Sequence, residues 1–266
     1  MTSSVAAKPV LLVRASGNEA DAAALAELGL ASVVDPYLSI TALHGTEGDA
    51  AATALLENLT SLGEGDWVVA TSANGLRFWG QLYGAANLNT ALAAAKDRGV
   101  RFAGIGEASA QMYSDFGIHE VFVPSTPYGE DLAAELIAAA GAGSHRALVP
   151  AGNLAMPTLN NTLTAANWQV TSVEVYETKT VVERPVTASA LARGDFSAVL
   201  LRSPSAARAI VEHSKAVSVP VVCGGTTTAA AAAELGLKVA AIASGTNPAQ
   251  LAQTIFDVVS SNQGAN

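Results

Sequence analysis

The sequence predicts an α/β fold of two similar domains, each with a parallel sheet flanked by helices. Short β-branched runs alternate with longer Ala-, Leu- and Glu-rich amphipathic runs along the whole 266-residue chain, the pattern of βαβ units. Four apolar runs stop at small hydroxyl and glycine residues and restart as Ala-rich, helix-like runs. They are Val68-Val69-Ala70-Thr71-Ser72-Ala73-Asn74, Phe102-Ala103-Gly104-Ile105-Gly106-Glu107-Ala108-Ser109-Ala110, Val199-Leu200-Leu201-Arg202-Ser203-Pro204-Ser205 and Val221-Val222-Cys223-Gly224-Gly225-Thr226-Thr227-Thr228. These turns also recur in pairs. Thr71-Ser72-Ala73, the 106–109 turn and a helix stop at Gly117 are echoed by Ser203-Pro204-Ser205, the 225–228 turn and a stop at Gly236, as a repeated domain would give.

In chain order, the first strand is expected at 10–13. Ser16-Gly17-Asn18-Glu19 then supplies capping groups and a first-turn acid for a helix over 20–28, which Gly29 ends. Residues 33–40, Val33-Val34-Asp35-Pro36-Tyr37-Leu38-Ser39-Ile40, read as extended with no helix attached. Strands at 67–70 and 101–104 each run into a hydroxyl turn and a helix. A strand at 120–123 precedes Tyr128-Gly129-Glu130-Asp131, the start of a helix over 132–139, and another strand is expected at 146–149. Residues 170–178 alternate apolar and polar around Val173 and Val175, as a half-exposed strand does. Strands at 198–201, 219–222 and 239–242 complete the set. Thr246-Asn247-Pro248, with proline in the first turn, opens a last helix over 251–259, and the polar tail 260–266 is expected to fray. A pair of strands crossing between domains explains the two extended segments.

Half of the residues are hydrophobic and 14% are charged, a composition of packed domains rather than of disorder. The net charge of −9, with no cluster of Lys and Arg, excludes a nucleic-acid surface. The opening Met1-Thr2-Ser3-Ser4-Val5-Ala6-Ala7-Lys8-Pro9 lacks the charged start and apolar core of a signal peptide, and no apolar stretch can span a bilayer; a cytoplasmic protein, with no membrane partner, is expected. Cys223 is the single cysteine, so neither an intrachain disulfide nor a Cys-based zinc site exists. His44, His119, His145 and His213 lack ligand spacing, and no metal is expected. Neither Gly104-Ile105-Gly106 nor Gly224-Gly225 continues as the dinucleotide glycine fingerprint, and a P-loop lysine is absent.

The chemistry is expected in the hydroxyl turns. Each puts hydroxyls and free backbone N–H groups at a helix start, beyond the C-terminal end of a parallel strand, where open α/β sheets bind ligands. Taken in order, the residues resemble the uroporphyrinogen-III synthase family. The family pattern is a first strand ending in Arg, an extended segment with Pro, Asp before an apolar strand and Thr-Ser, a Val/Ile-Gly-x-x-Thr-Ala turn, Val-Tyr-x-Thr, Ser-Pro-Ser, and Ile-Gly-x-Thr-Thr. This chain offers Arg14, Pro36, Asp66 with Thr71-Ser72, Ile105-Gly106-Glu107-Ala108-Ser109-Ala110, Val175-Tyr176-Glu177-Thr178, Ser203-Pro204-Ser205 and Gly224-Gly225-Thr226-Thr227-Thr228. It departs in three places: Ser109 replaces Thr and keeps the hydroxyl, Gly224 replaces Ile or Val, and Pro150-Ala151-Gly152-Asn153 lacks an arginine that often follows that glycine.

The resemblance implies a discontinuous first domain, 1–36 with 178–266, an inserted second domain, 40–173, and a two-stranded hinge at 33–40 and 173–178. It places the active site in the cleft between the domains. It also implies a cofactor-free lyase that takes hydroxymethylbilane, expels its terminal hydroxyl as water and closes the ring with the last pyrrole inverted. It is expected to act as a monomer, with a transient contact to the preceding deaminase. Helix N-termini and the hydroxyls of Thr71, Ser72, Ser109, Ser203, Ser205, Thr227 and Thr228 can then hold the substrate's carboxylates without a net positive charge. Helix capping is the competing reading for each hydroxyl. Tyr176 is either the proton donor to the departing hydroxyl or an ordinary strand aromatic. Arg14 either holds a propionate in a forked pair or caps the sheet edge in solvent, and Lys8 and Arg202 are read alike. Glu107 and Asp66 are read as helix-start and turn residues, Trp67, Trp79 and Trp168 as core, and Cys223 as a buried strand residue. The alternative from another class is a noncatalytic two-domain α/β sensor that binds an anionic small molecule.

Overall fold

A computed structural model describes residues 8–141, 143–214 and 216–263. The chain divides into two compact units, Met1–Ser39 with Lys179–Asn266, and Ile40–Thr178. Along the chain run β1 (Val10–Leu12), α1 (Glu19–Glu27), β2 (Ser32–Val34), β3 (Leu38–Ala42), α2 (Gly45–Ser61), β4 (Trp67–Ala70), α3 (Ala73–Tyr83), α4 (Ala85–Asp97), β5 (Arg101–Gly104), α5 (Glu107–Asp115) and α6 (Gly129–Ala140). There follow β6 (Arg146–Gly152), α7 (Thr158–Ala165), β7 (Gln169–Thr180), α8 (Ala188–Arg193), β8 (Ala198–Leu201), α9 (Pro204–His213), β9 (Val221–Cys223), α10 (Thr226–Glu234), β10 (Val239–Ile242) and α11 (Pro248–Gln263).

The sheet of the first unit has the order β10-β9-β8-β1-β2, with parallel neighbours throughout. Both faces are covered, so its central strands are continuous apolar runs whose side chains alternate between two cores. Leu11, Val199, Leu201 and Val221 face Ala206, Ile210 and Ala232 of α9 and α10, whereas Val10, Leu12, Leu200 and Val222 face Leu25 of α1 and Leu251 and Ile255 of α11. The second unit has the order β3-β7-β6-β4-β5, with β7, β6, β4 and β5 parallel. At its edge β3 runs antiparallel to β7, as Leu43 N donating to Val175 O and Val181 N to Tyr37 O require. Val68, Ala70, Phe102 and Leu148 join a core with α2 to α5, and Trp67, Val69, Ala147 and Val149 join one with α6 and α7. Trp67, Trp79 and Trp168 are all buried. At the entry of this sheet the buried Asp66 carboxylate accepts from Gly63 N at 3.0 Å, from Arg146 N at 3.0 Å and from the Arg146 guanidinium at 2.6 Å, clamping the starts of β4 and β6 together.

Each sheet has one place where successive connections run in opposite directions, and this is where open parallel sheets form a crevice. In the first unit it falls between β1 and β8, and in the second between β4 and β6. Arg14 and the Arg202-Ser203 pair follow one pair of strands; Thr71-Ser72 and Gly152-Asn153 end the other.

Three elements differ from the sequence reading. Residues 120–123 form only a single bridge, Ala103 to Phe122, because the segment meets the edge of β5 for one residue before Pro124, which has no amide hydrogen, interrupts it. Residues 33–40 are not one extended piece: Asp35-Pro36 divides β2, a member of the first sheet paired with β1, from β3, which lies beside β7 in the second. The tail does not fray from residue 260; α11 continues to Gln263, and 264–266 lie outside the described residues, as does 1–7 of the opening segment. The helix stops at Gly29, Gly117 and Gly236 all adopt left-handed φ, 74°, 79° and 78°.

Candidate active site

In the second unit, β7 carries Tyr176 to the end of β6, where it stands in register with Gly152. A Cβ on Gly152 would overlap the Tyr176 ring, so only glycine admits the tyrosine here. The ring stacks on Phe78 of α3 at 5.2 Å between centroids, and the Arg77 guanidinium lies 4.5 Å from the centre of the same Phe78 ring. Burial raises the Tyr176 pKa above the ordinary phenol value, with the Ser72 hydroxyl and the Arg77 charge acting in the opposite sense. A phenol is protonated at neutral pH already, and the rise extends that state further into the alkaline range. Helix α3 comes this close because Gly75 sits directly against the Pro150 carbonyl, which a side chain would strike.

Ser72 caps α3, accepting from Asn74 N at 3.2 Å. Thr71 lines an open polar cavity of about 210 Å³ with Gly152, Asn153, Asn160, Ser172 and Glu174. Asn153 is fixed to β7 by a bond from Thr178 N to its Oδ1, 2.8 Å, and one from its own Nδ2 to Thr178 O, 3.3 Å. Capping and an open face thus coexist in this turn.

In the first unit, Arg14 and Arg202 converge on Asp21 of α1, whose carboxylate is buried. Arg202 donates to both Asp21 oxygens, at 2.7 and 3.0 Å, and to Thr246 O at 2.6 Å. Arg14 is looser, 4.0 Å from Asp21 and 3.2 Å from Gly17 O. Burial and the neighbouring Arg202 charge lower its pKa. Both guanidiniums are paired with the Asp21 carboxylate, and the Glu19 charge also acts on Arg14, so the two arginines are held in place by acids of α1. Ser203 caps α9, accepting from Ala206 N at 3.2 Å, and its hydroxyl meets that of Ser205 at 2.8 Å. Lys8 donates to Gly194 O at 2.7 Å.

The structure separates the remaining hydroxyls. Ser109 and Thr228, three residues past the caps of α5 and α10, turn inward and are 2% and 5% exposed; Thr227 is exposed. Gly104 leaves room for Ser109, whose Cβ would stand 2.9 Å from a Cβ at 104. Cys223 is buried and its thiol is pushed up to about 11, which makes it a poor nucleophile. Among the described residues no cluster of His, Cys, Asp or Glu is arranged to hold a metal, and no helix is long and apolar enough to cross a membrane. Sequence reading passed over Arg77, Phe78 and Gly152 as site residues. The available signal was the lone charge in Leu76-Arg77-Phe78-Trp79, an otherwise apolar helical stretch.

A family model described as uroporphyrinogen-III synthase HemD matches residues 19–253. Among solved structures, a mutant uroporphyrinogen III synthase of the extremely thermophilic bacterium Thermus thermophilus is similar with a TM-score of 0.61 and 18% identity, over 96% of this chain and 100% of that one. The uroporphyrinogen-III synthetase of Helicobacter pylori is similar with a TM-score of 0.61 and 13% identity, over 94% and 99%. At these identities the likeness establishes the α/β fold with parallel sheets flanked by helices. No curated protein gives a significant match.

Proposed function

The chain belongs to the uroporphyrinogen-III synthase family, and from that premise we propose that it is a lyase that cyclises hydroxymethylbilane to uroporphyrinogen III. The observation that carries the reading is the seat of Tyr176: a largely buried phenol on β7, held against Phe78 and against Gly152 at the C-terminal end of β6, one of the two crevice strands. In the reaction the terminal hydroxyl leaves as water. Electron release from the attached pyrrole weakens the C–O bond, and the phenol of Tyr176 donates a proton, directly or by hydrogen bonding, to the departing oxygen. The last ring bonds through its substituted α-carbon to give a spiro centre. The older bond from that carbon to its neighbouring bridge then breaks, and the freed bridge carbon rebonds at the ring's unsubstituted α-carbon, so that the ring ends inverted. Loss of the proton from this newly bonded α-carbon restores the pyrrole and returns the phenol. Leaving-group departure is assisted by the substrate itself, so the larger part of catalysis is orientation: holding a flexible chain bent in the inverting geometry rather than the spontaneous one.

Each unit offers groups suited to carboxylates such as the substrate's acetates and propionates: in the second the start of α3 with Thr71 and Ser72, and in the first the start of α9 with Ser203 and Ser205, and the Arg14 guanidinium. Thr227 offers a further hydroxyl at the exposed start of α10. Ser109 and Thr228 support these turns from within rather than by direct bonding in this conformation. The test is to supply enzymatically generated hydroxymethylbilane and identify the porphyrin isomer after oxidation. Type III above background is expected; type I alone, at the spontaneous rate, rejects the lyase and leaves the anion-binding sensor.

A further inference from the structure

Among the described residues four arginines are withdrawn from full exposure: Arg14, Arg77, Arg146 and Arg202. Three of them face a carboxylate of the protein, Asp21 for Arg14 and Arg202 and Asp66 for Arg146. Arg77 makes no ion pair and no hydrogen bond among the described residues, and its Nε is fully buried without a partner. A guanidinium that has given up part of its hydration and found no carboxylate is left with an uncompensated cost. In a chain of net charge −9 an acid was available to evolution at many positions, yet none is placed here.

The setting of this charge is specific. Arg77 lies five residues beyond the Ser72 cap, in the second turn of α3, the helix that follows the C-terminal end of β4. Its guanidinium is held against the Phe78 ring at 4.5 Å, and the same ring stacks on Tyr176. The contact with the ring restrains the guanidinium, and its outer N–H groups make no hydrogen bond among the described residues, so a bidentate acceptor can take them. We propose that Arg77 is a substrate-binding residue that takes a carboxylate of the polycarboxylate substrate beside the Tyr176 phenol. This rests on the function proposed above. The bound carboxylate replaces the missing protein acid and anchors the substrate end whose hydroxyl departs near Tyr176. The Arg77 charge also opposes the rise of the Tyr176 pKa, so its loss makes the phenol a weaker acid.

The test compares wild type with Arg77→Gln and Arg77→Lys, each checked for native fold by far-UV circular dichroism. The readouts are isomer-resolved kinetics and fluorescence titration with uroporphyrin III, an octacarboxylate. Arg77→Gln is expected to raise KM and the porphyrin Kd roughly tenfold or more, the usual loss for one charge-assisted pair, with a smaller change in kcat. Arg77→Lys, which keeps the charge but not the fork, recovers part of the loss. A folded Arg77→Gln with KM and Kd within about twofold of wild type overturns the proposal. So does Arg77→Lys behaving like the glutamine variant, which reduces Arg77 to packing. Should Arg77→Gln not fold, Arg77→Met, which keeps the aliphatic stem, replaces it in the comparison. A wild type that makes only type I overturns the function itself; normal type III from wild type alongside unaltered variants overturns Arg77 alone.

Discussion

The ring of Tyr176 occupies the space that a side chain at 152 would fill, so Gly152→Ala must move the ring or the end of β6. Overpacking of this kind costs about 1–3 kcal/mol, and the expected outcome is a lower melting temperature together with a fall in kcat, since the phenol loses its place. Tyr176→Phe removes only the hydroxyl. Near-wild-type stability and a roughly ten- to hundredfold drop in kcat are expected, at or below the low end of general acid catalysis because the substrate assists its own leaving group. Full turnover by this variant would end the proton-donor role. The raised phenol pKa fixes the sign of the pH dependence: the proton is present below the folded value and lost only as pH rises through it. The rate should therefore hold through the neutral range and fall at the alkaline limb, above about pH 10, the ordinary phenol value. The tyrosine was legible in the sequence through Val175-Tyr176-Glu177-Thr178, but its partners were not. Gly152, Phe78 and Arg77 lie far from it along the chain and converge only once β6, β7 and α3 are packed.

At the scale of elements, strands buried on both faces were the most legible. Trp67–Ala70 and Ala198–Leu201 are buried at every position, and an unbroken apolar run of that length admits few other placements. Edges were less legible, because a strand that pairs on one side, or for one residue as Phe122 does, carries the same composition as one that pairs fully. The capping roles of Ser72 and Ser203 were legible; the inward turn of Ser109 and Thr228 was not, because a residue three positions past a cap faces the core or the solvent according to how its helix sits on the sheet. The Asp66–Arg146 clamp is an element-scale device with a pH signature. Burial raises the Asp66 pKa, but bonds from Arg146 and Gly63 outweigh it and hold the carboxyl below its usual range. A depressed folded pKa gives stability that is present above the unfolded value, about 3.9, and lost as pH falls through the folded one. Asp66→Asn should cost about 1.5–3 kcal/mol at neutral pH, and chemical denaturation should show the gap to wild type closing in acid.

At the scale of the whole molecule, the second unit is one continuous stretch, Ile40–Thr178, and both of its cores draw only on residues within it. A polypeptide of residues 40–178 is expected to fold alone and melt cooperatively, with α/β circular dichroism; a disordered spectrum would contradict this. The first unit has no such freedom. Its inner strand β1 is flanked by β2, made at once, and by β8, which begins at Ala198. A ribosome adding about 5–20 residues per second needs on the order of 10 s to bridge that gap. During this interval the whole of the inserted unit emerges and can fold, while one hydrogen-bonding edge of β1 waits unpaired. The connectivity thus sets an order of assembly in which the insert matures first, and the early fragment β1-α1-β2 is the part of the nascent chain most in need of protection from wrong pairing.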